Sequence, residues 1–242
     1  MKNSVSELLD KEKKNLLSAE NNPYKNLLSL LISILGENDP NEVLSRLVLS
    51  SMVVTNADGG SIYVLKDNQL YFHTFFNKSL NLMGTVVDIT KSTIRPIHLY
   101  DPNTKEKNDK FISTCTVLNK EIINITDVYK VKDYDITGVL SFDRKNKYKT
   151  QSLLSVPLIS KDSVIGVGQL INAKNEKSKS IVSFTEKNVE IVEVLYKAAA
   201  PFIEMVSNMK DATNLIGTLS EVNAQGAWRN WLAKVRKEEA EG

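Results

Sequence analysis

The sequence contains, at residues 135–172, the stretch DITGVLSFDRKNKYKTQSLLSVPLISKDSVIGVGQLIN, in which a polar segment leads into two apolar runs. The run Leu153–Leu158 is apolar between polar neighbours, as expected for a strand buried on both faces, and Lys161–Ser163 forms a short polar turn. These runs predict a β-hairpin. Because Pro157 cannot donate to a ladder, we expect the first strand to lie at a sheet edge or to lose its partner near this residue.

The second strand of the hairpin mixes apolar residues with glycine and glutamine. Period-two alternation predicts that Ile165, Val167, Gln169 and Ile171 share one face. Gln169 then either hydrogen-bonds backbone within the core, as buried amides usually do, or lines a ligand cavity. Gly168 either enlarges a cavity or lets a neighbouring group approach closely.

Further turn and strand segments lie on either side of this hairpin, and their order along the chain is informative. Thr55–Leu65 predicts a turn built from Asp and Gly and then a strand with β-branched residues, and Lys66–Gln69 predicts a hairpin turn. The further segments are Leu70–Phe76, Asn77–Asn81, Pro96–Asp101, Asn124–Tyr129, Phe142-Asp143, Tyr148–Ser152, Val164–Asn172 and Phe184-Thr185. Together they resemble a GAF domain of the cyclic-nucleotide type found upstream of bacterial signalling enzymes such as HD-GYP phosphohydrolases and nucleotide cyclases; their order over one domain length carries the resemblance.

The resemblance implies an α+β fold. We expect an antiparallel sheet of about six strands, terminal helices on one face and a ligand pocket under loops and short helices on the opposite face. Three regions are predicted: an N-terminal helical extension at 1–38, the GAF domain at 39–206 and a C-terminal helical tail at 207–242.

The terminal helices have recognisable boundaries and apolar stripes. Pro40 suits the first turn of a helix, Ser183 and Glu186 have capping-box spacing, and Pro201 is expected to kink or break the helix that follows. A parallel dimer would bury the apolar stripes, so a homodimer is expected; alternatively the stripes pack only on their own domain. The tail carries Trp228 and Trp231, which predict either a helix that binds a partner groove or one that packs on the core.

Composition bounds the classes of protein to consider. The 242 residues are 42% hydrophobic, enough for one core with helical extensions. Thirty-one basic against 29 acidic residues give a dispersed net charge of +2, which offers little support for nucleic-acid binding. The single cysteine, Cys115, excludes an internal disulfide, and no apolar run reaches membrane-spanning length. We therefore expect a cytoplasmic protein that binds neither nucleic acid nor membrane.

The resemblance also implies which residues meet a small-molecule ligand. They are Ser61, Phe75, Asn77, Phe111, Ser113, Thr114, Asp127, Asp135, Phe142, Asp143, Thr150 and Gln169. A cyclic nucleotide, cAMP or cGMP, is the leading candidate, with its phosphate at a short-helix start near Phe111–Thr114 or Thr126–Val128, where the helix dipole favours an anion. Its base would contact Ser61, Phe75 or Asn77 and the loop around Asp135. The group Phe142, Asp143 and Thr150 would hold the lid, or serve only loop structure.

The family's cyclic-nucleotide signature is only partly present. Asn172 and Phe184 match it, whereas Ala173 replaces the lysine that would pair with an aspartate, and the aspartate position is Asn188. Lys174, one position late, is a substitute for the missing lysine. The expected function is therefore regulatory binding of a small molecule coupled to a downstream signalling enzyme. The alternatives are a ligand-free dimerisation module and the regulatory fragment of a phosphohydrolase or nucleotide cyclase.

No catalytic residue, metal site or resident cofactor is predicted. His73 and His98 have no cysteine or carboxylate neighbours at metal-ligand spacing, and neither a nucleophile elbow nor a phosphate-binding glycine loop occurs. Relatives that reduce free methionine sulfoxide use several cysteines, because a sulfenic acid needs a resolving thiol. A single Cys115 does not supply that pair, and Thr116 stands where bilin-binding relatives usually have histidine.

Overall fold

A computed structural model describes residues 4–17, 23–86 and 94–209. The chain divides into two compact units, Met1–Glu204 and Met205–Gly242. Of the second unit, residues 205–209 are described and are helical. The predicted tryptophan-bearing helix lies outside the described residues. Within the described ranges, no helix is long and apolar enough to cross a membrane.

Six helices begin within the described residues of the first unit. They are α1 (Val5–Leu17), α2 (Pro23–Leu35), α3 (Pro40–Thr55), α4 (Ile112–Asn119), α5 (Thr137–Asn146) and α6, which begins at residue 186. Asp39 caps α3 by accepting a hydrogen bond from the Asn41 amide, and Pro40 occupies the first turn as predicted. Helix α6 continues through Pro201 without a break.

Eight strands form one antiparallel sheet. They are β1 (Ala57–Lys66), β2 (Gln69–Asn77), β3 (Leu82–Thr85), β4 (Ile97–His98), β5 (Ile123–Ile125), β6 (Leu153–Ser160), β7 (Ser163–Lys174) and β8 (Ile181–Val182). The main order is β3-β2-β1-β7-β6-β5, with β4 paired to β2 and β8 paired to β7. The predicted α+β class is confirmed, and the two extra strands are short edge pairings.

Helices α3 and α6 pack on one face of this sheet, α1 and α2 pack on α3, and together they form the larger core. The contact of α3 with β1 is close because Gly60 has no side chain: a Cβ there would lie 2.8 Å from Val48 Cγ1 of α3 and 2.9 Å from Leu170 Cδ2 of β7. Gly59 and Gly60 therefore lie within β1, whereas the sequence pattern predicted a turn at these residues. Glycine is required at both positions because neighbouring groups occupy the side-chain space: residues of α3 at Gly60, and the side chains of Ile171 and Asn77 at Gly59.

Gly168 also serves close packing. A Cβ at this position would overlap the ring of Tyr196, which lies on α6 and is fully buried. Of the two interpretations left open by the sequence, the structure therefore selects the close approach of a neighbouring group. The cavity interpretation is wrong, because the Tyr196 ring fills the space.

The predicted hairpin is confirmed, with β6 and β7 joined by a two-residue turn between Ser160 and Ser163. Strand β5 pairs only with Leu153–Ser155 of β6, so the sheet partner is lost before Pro157, as expected. The predicted face of Ile165 is wrong. Leu158 pairs with Gly166 and Ile159 with Val164, so Ile165 is an extra residue and packs on the helix side, opposite Val167.

Two local predictions about helices are also corrected. The polar segment before the hairpin is helical at Thr137–Asn146, although it carries little apolar periodicity, because its buried inner residue is the carboxylate Asp143. The cap of α6 is Thr185 rather than Ser183. Asn188 accepts hydrogen bonds from the Thr185 amide and donates its own amide to the Thr185 hydroxyl, completing the reciprocal pair.

Candidate functional site

The sheet face turned away from the long helices, here called the loop face, carries several of the predicted ligand residues. Ser61 of β1 lies directly opposite Phe75 of β2 and Gln169 of β7, so all three side chains share that face. Helix α4 and the short 3₁₀ turn Val128–Lys130 cover the part of the face formed by β6 and β7. On β1 and β2, Val117 of α4 and Leu99 pack with Leu70 and cover part of the face.

Three aromatic side chains form a row on the loop face along β1 and β2. The rings of Tyr63 and Phe72 lie 5.4 Å apart edge to face, and those of Phe72 and Phe75 lie 5.7 Å apart. All three are partly exposed. Strict alternation would place Phe72 and Phe75 on opposite faces, but His73 is an extra residue in β2 opposite β1 and restores them to one face. Of the three, only Phe75 was predicted as a ligand residue from the sequence, because a bulge has no reliable sequence signal.

A polar group lies next to this row. Gln169 donates from Nε2 to Ser155 Oγ at 3.4 Å, and Thr116 of α4 lies 2.8 Å from the same oxygen. Gln169 is partly buried, so the expected hydrogen bonding within the core is present, although its partner is a side chain rather than backbone. Ser61 of β1 is the register neighbour of Gln169 on this face.

Helix α4 begins where the sequence predicted a short-helix start. Phe111 is its N-cap and provides no side-chain hydrogen bond to the first turn. Ser113 and Thr114 follow in that turn and are buried, and the Thr114 hydroxyl donates back to the Phe111 carbonyl. Asn77, at the end of β2, is also buried and accepts the Leu80 amide.

The two predicted carboxylates outside the sheet serve local turns. Asp127 caps the 3₁₀ turn by accepting the Tyr129 amide and pairs with Lys130 at 3.2 Å. Asp135 accepts the Thr137 amide at the start of α5, and this hydrogen bond holds the pKa of its exposed carboxyl below the ordinary value.

The group Phe142, Asp143 and Thr150 ties α5 to the start of β6. The buried Asp143 carboxylate accepts hydrogen bonds from the Thr150 amide at 2.7 Å, the Thr150 hydroxyl at 2.8 Å and the Tyr129 hydroxyl at 2.7 Å. The bond to Asp143 raises the pKa of Tyr129. Phe142 packs edge to face on Tyr148 at 6.0 Å. Asp143 and Thr150 are therefore joined directly.

A second buried carboxylate, Asp58, was missed by the sequence analysis. It is 1% exposed and accepts from the Tyr148 hydroxyl at 2.7 Å, Lys174 Nζ at 2.5 Å and the Ser79 hydroxyl at 2.8 Å. Lys174 thus forms an ion pair, as a substitute lysine would, but with a residue of β1. Burial, followed by the bond to Asp58, raises the pKa of Tyr148. The partners are distant in sequence, so only the resemblance had drawn attention to Lys174.

Other features of the described ranges offer little chemistry. A groove of about 440 Å³ lies on the outer side of α5, lined by Thr137, Leu140, Ser141, Arg144 and Lys145. Cys115 is 6% exposed, donates its thiol to the Asp109 carbonyl, and has its pKa raised by burial. In the described part of the chain, no group of three or more His, Cys, Asp or Glu side chains is placed to hold a metal ion.

Comparisons with known proteins agree with this architecture. Among curated proteins, none matches the chain. Similar solved structures include the GAF domain of a Coxiella burnetii phosphoenolpyruvate-protein phosphotransferase, at 14% identity and TM-score 0.54, covering 78% of this chain and 99% of that chain. Free methionine-R-sulfoxide reductase from Neisseria meningitidis, solved with its substrate, has 14% identity and TM-score 0.53 and covers 76% and 89%.

A third similar structure is a methyl-accepting chemotaxis protein, at 16% identity and TM-score 0.52, covering 75% of this chain and 98% of that chain. At these identities the likeness concerns the fold alone. A sequence model of the GAF domain family matches residues 39–201, which is more than half of the chain. The chain therefore belongs to the GAF domain family, whose members are generally regulatory sensory modules.

Proposed function

We propose that this chain is a regulatory sensory domain that binds a small planar molecule on its loop face, with cAMP or cGMP as the leading candidates. The observation that carries the proposal is the aromatic row Tyr63, Phe72 and Phe75, which is partly exposed beside the hydroxyl of Ser61 and the amide of Gln169. Aromatic rings of this kind provide a stacking surface for a base, and neighbouring hydroxyl and amide groups fix its orientation.

The phosphate of a nucleotide would bind at the start of a short helix on the same face. The first turn of α4 has no side-chain cap from Phe111, so the positive end of its dipole remains suited to a phosphate. At the alternative position, Asp127 already caps the turn and the Val128 amide donates to the Gln151 carbonyl. We therefore favour the α4 position for the phosphate.

The proposed role is binding rather than catalysis, although a methionine sulfoxide reductase shares the fold. A sulfenic acid formed at one cysteine is resolved by a second thiol, and Cys115 is the sole cysteine of the sequence. Its thiol is also buried and its pKa is raised, which lowers the population of the reactive thiolate. The ligand is expected to be recovered unchanged after incubation with the protein.

Calorimetric titration with cAMP and cGMP tests the ligand proposal through Phe75. Replacing Phe75 with leucine keeps the apolar volume but removes the ring, so we expect affinity to fall by about 1–3 kcal/mol, the range for loss of base stacking. Phe75→Tyr keeps the ring and serves as the matched control, with affinity close to that of the unmodified protein. Mass spectrometry of the titrated sample then checks that the nucleotide is intact.

Two results would contradict the proposal. One is binding of neither nucleotide together with no small molecule released from the purified protein. The other is equal affinity for Phe75→Leu and Phe75→Tyr, which would place the base elsewhere.

A ligand-free interaction module is the second candidate, and the apolar filling of the loop face favours it. Leu70, Leu99, Val117 and Val167 form a buried cluster there, and Asp143 and Thr150 bond to each other rather than to open space. Under this alternative the purified protein would release no small molecule, yet would still associate. Mass spectrometry of small molecules released from the purified protein, before any nucleotide is added, therefore separates the two candidates.

We further propose that the chain forms a homodimer through α2. Leu28, Ile32 and Leu35 are 58%, 63% and 39% exposed, and their spacing places them on one helix face. Such a stripe is stabilised when another apolar surface covers it.

Light scattering after size-exclusion chromatography checks this assembly. Ile32→Glu places a charge in the middle of the stripe and is expected to shift the protein toward the monomer. Asn38→Glu adds the same charge at an exposed position just beyond α2 and should leave association unchanged. A monomeric full-length protein at high concentration would exclude the dimer.

A further inference from the structure

Asp58 connects three segments that are far apart in the sequence, and we name Asp58 with Tyr148, Lys174 and Ser79 the Asp58 junction. Tyr148 comes from the segment between α5 and β6, Lys174 from the end of β7, and Ser79 from the turn between β2 and β3. Lys174 Nζ also donates to the Ser79 hydroxyl at 2.8 Å. Because the carboxylate is buried, its position depends on all three donors.

The side of the junction nearest α5 includes a residue in an unfavourable backbone conformation. Asn172 has φ 56° within β7, a left-handed conformation that residues other than glycine seldom adopt inside a strand. Its side chain accepts the Gln151 amide at 2.7 Å and donates to the Lys149 carbonyl at 2.8 Å and the Tyr148 hydroxyl at 2.9 Å. Docking of residues 148–151 therefore stabilises the strained form of Asn172, and undocking would allow β7 to relax.

The other side of the junction reaches the N-terminal helix. The Asp58 carbonyl accepts the Lys78 amide at 2.7 Å, which holds the turn between β2 and β3. In the same turn, Asn81 Oδ1 accepts the amide of Val5, the first residue of α1, at 2.9 Å. Val5 is fully buried, so this hydrogen bond fixes the point where α1 meets the domain.

We propose that the Asp58 junction transmits the docked or undocked state of residues 148–151 to α1. In the docked state Tyr148 completes the junction, Asn172 is held in its strained form, and the turn at Ser79 to Asn81 anchors α1. In the undocked state Asp58 loses one of its three donors, Lys174 moves with the relaxed end of β7, and the anchor of α1 loosens. That a bound ligand would favour docking rests on the proposed function, whereas the coupling itself is a property of the chain without ligand.

Amide hydrogen exchange measured by NMR on the full chain without ligand tests the coupling. Tyr148→Phe removes the hydroxyl from the junction, and Tyr129→Phe removes a hydroxyl at the same distance, 2.7 Å, from the other buried carboxylate. With Tyr148→Phe we expect the Val5 amide to exchange roughly five-fold faster or more, a factor typical of losing one such interaction. With Tyr129→Phe, the Val5 amide should exchange at the original rate.

The amide of Leu170, in the buried centre of β7, reports unfolding of the whole domain, and Tyr148→Phe and Tyr129→Phe should both accelerate its exchange, since each removes a donor from a buried carboxylate. Adding Tyr148→Phe to Asn81→Ala should give no further acceleration at Val5, because the connection is already cut. Unchanged exchange at Val5 with Tyr148→Phe, equal acceleration at Val5 with Tyr148→Phe and with Tyr129→Phe, or additive effects in the double variant would each overturn the proposal. Failure of cyclic nucleotides to bind would leave these measurements unaffected.

Discussion

Gly168→Ala is expected to lower the free energy of unfolding by about 1–3 kcal/mol or more, the range for overpacking a filled core. The added methyl group would overlap the Tyr196 ring, and that ring lies between the sheet and α6 with no exposed side to which it can retreat. Chemical denaturation followed by circular dichroism measures the change. The effect should appear in the denaturation midpoint rather than in the slope.

A matched glycine variant separates overpacking from the general effect of adding a methyl group. Gly138 lies on α5 with nothing within 4 Å of a Cβ at that position, so Gly138→Ala is expected to be neutral or to stabilise the protein. Tyr196→Leu in the Gly168→Ala background should recover part of the loss, since it removes the overlapping atoms. A Gly168→Ala variant as stable as the original protein would mean that α6 is not held against the sheet at this point.

The second large effect is expected at Asp143, where alanine should cost about 1–3 kcal/mol, the range for leaving buried donors without a partner. Three donors would lose their acceptor: the Thr150 amide, the Thr150 hydroxyl and the Tyr129 hydroxyl. Because these bonds tie α5 to β6, ligand affinity should fall together with the melting temperature. Calorimetry and thermal denaturation of the same samples measure both quantities.

The matched control is Asp143→Asn, which preserves the size and shape of the side chain. Asp143→Asn keeps an acceptor oxygen in nearly the same place, so it should retain part of the stability that alanine loses. If Asp143→Ala changed neither affinity nor melting temperature, α5 would contribute nothing to closing the loop face, and the lid role implied for Phe142, Asp143 and Thr150 would fail.

The parts of the fold that were predictable are those in which local pattern and tertiary environment agree. The hairpin of β6 and β7 is apolar along both strands and has a polar turn. It could therefore be predicted without knowing which other segments pack against it. Helix α5 gave no such signal, because its buried residue is a carboxylate whose partners, Thr150 and Tyr129, are contributed by other segments. A helix that faces inward through a hydrogen-bond network is invisible to apolar periodicity.

Individual residues of the candidate site could be predicted from the sequence, but their arrangement in space could not. Phe75 and Ser61 came from the family resemblance, whereas Tyr63 and Phe72 join them through the register of β1 with β2 and the extra residue His73. Likewise, Lys174 could be noted as a displaced lysine, but its partner Asp58 could not be found, because an ion pair between two strands depends on their alignment. Register and bulges are decided by packing across the whole sheet, which a single sequence does not display.

Pro157 affects whether a second copy of the chain can add a strand to the outer edge of β6. The Ser152 carbonyl accepts a hydrogen bond from Asn172 of β7, so alternation directs the backbone groups of the odd-numbered residues of β6 toward the outer edge. Beyond Ser155 no strand among the described residues pairs with that edge, and Pro157 presents no N–H there. A second chain therefore meets an interrupted row of donors. The residue protects an open sheet edge against intermolecular strand addition and the aggregation that follows from it.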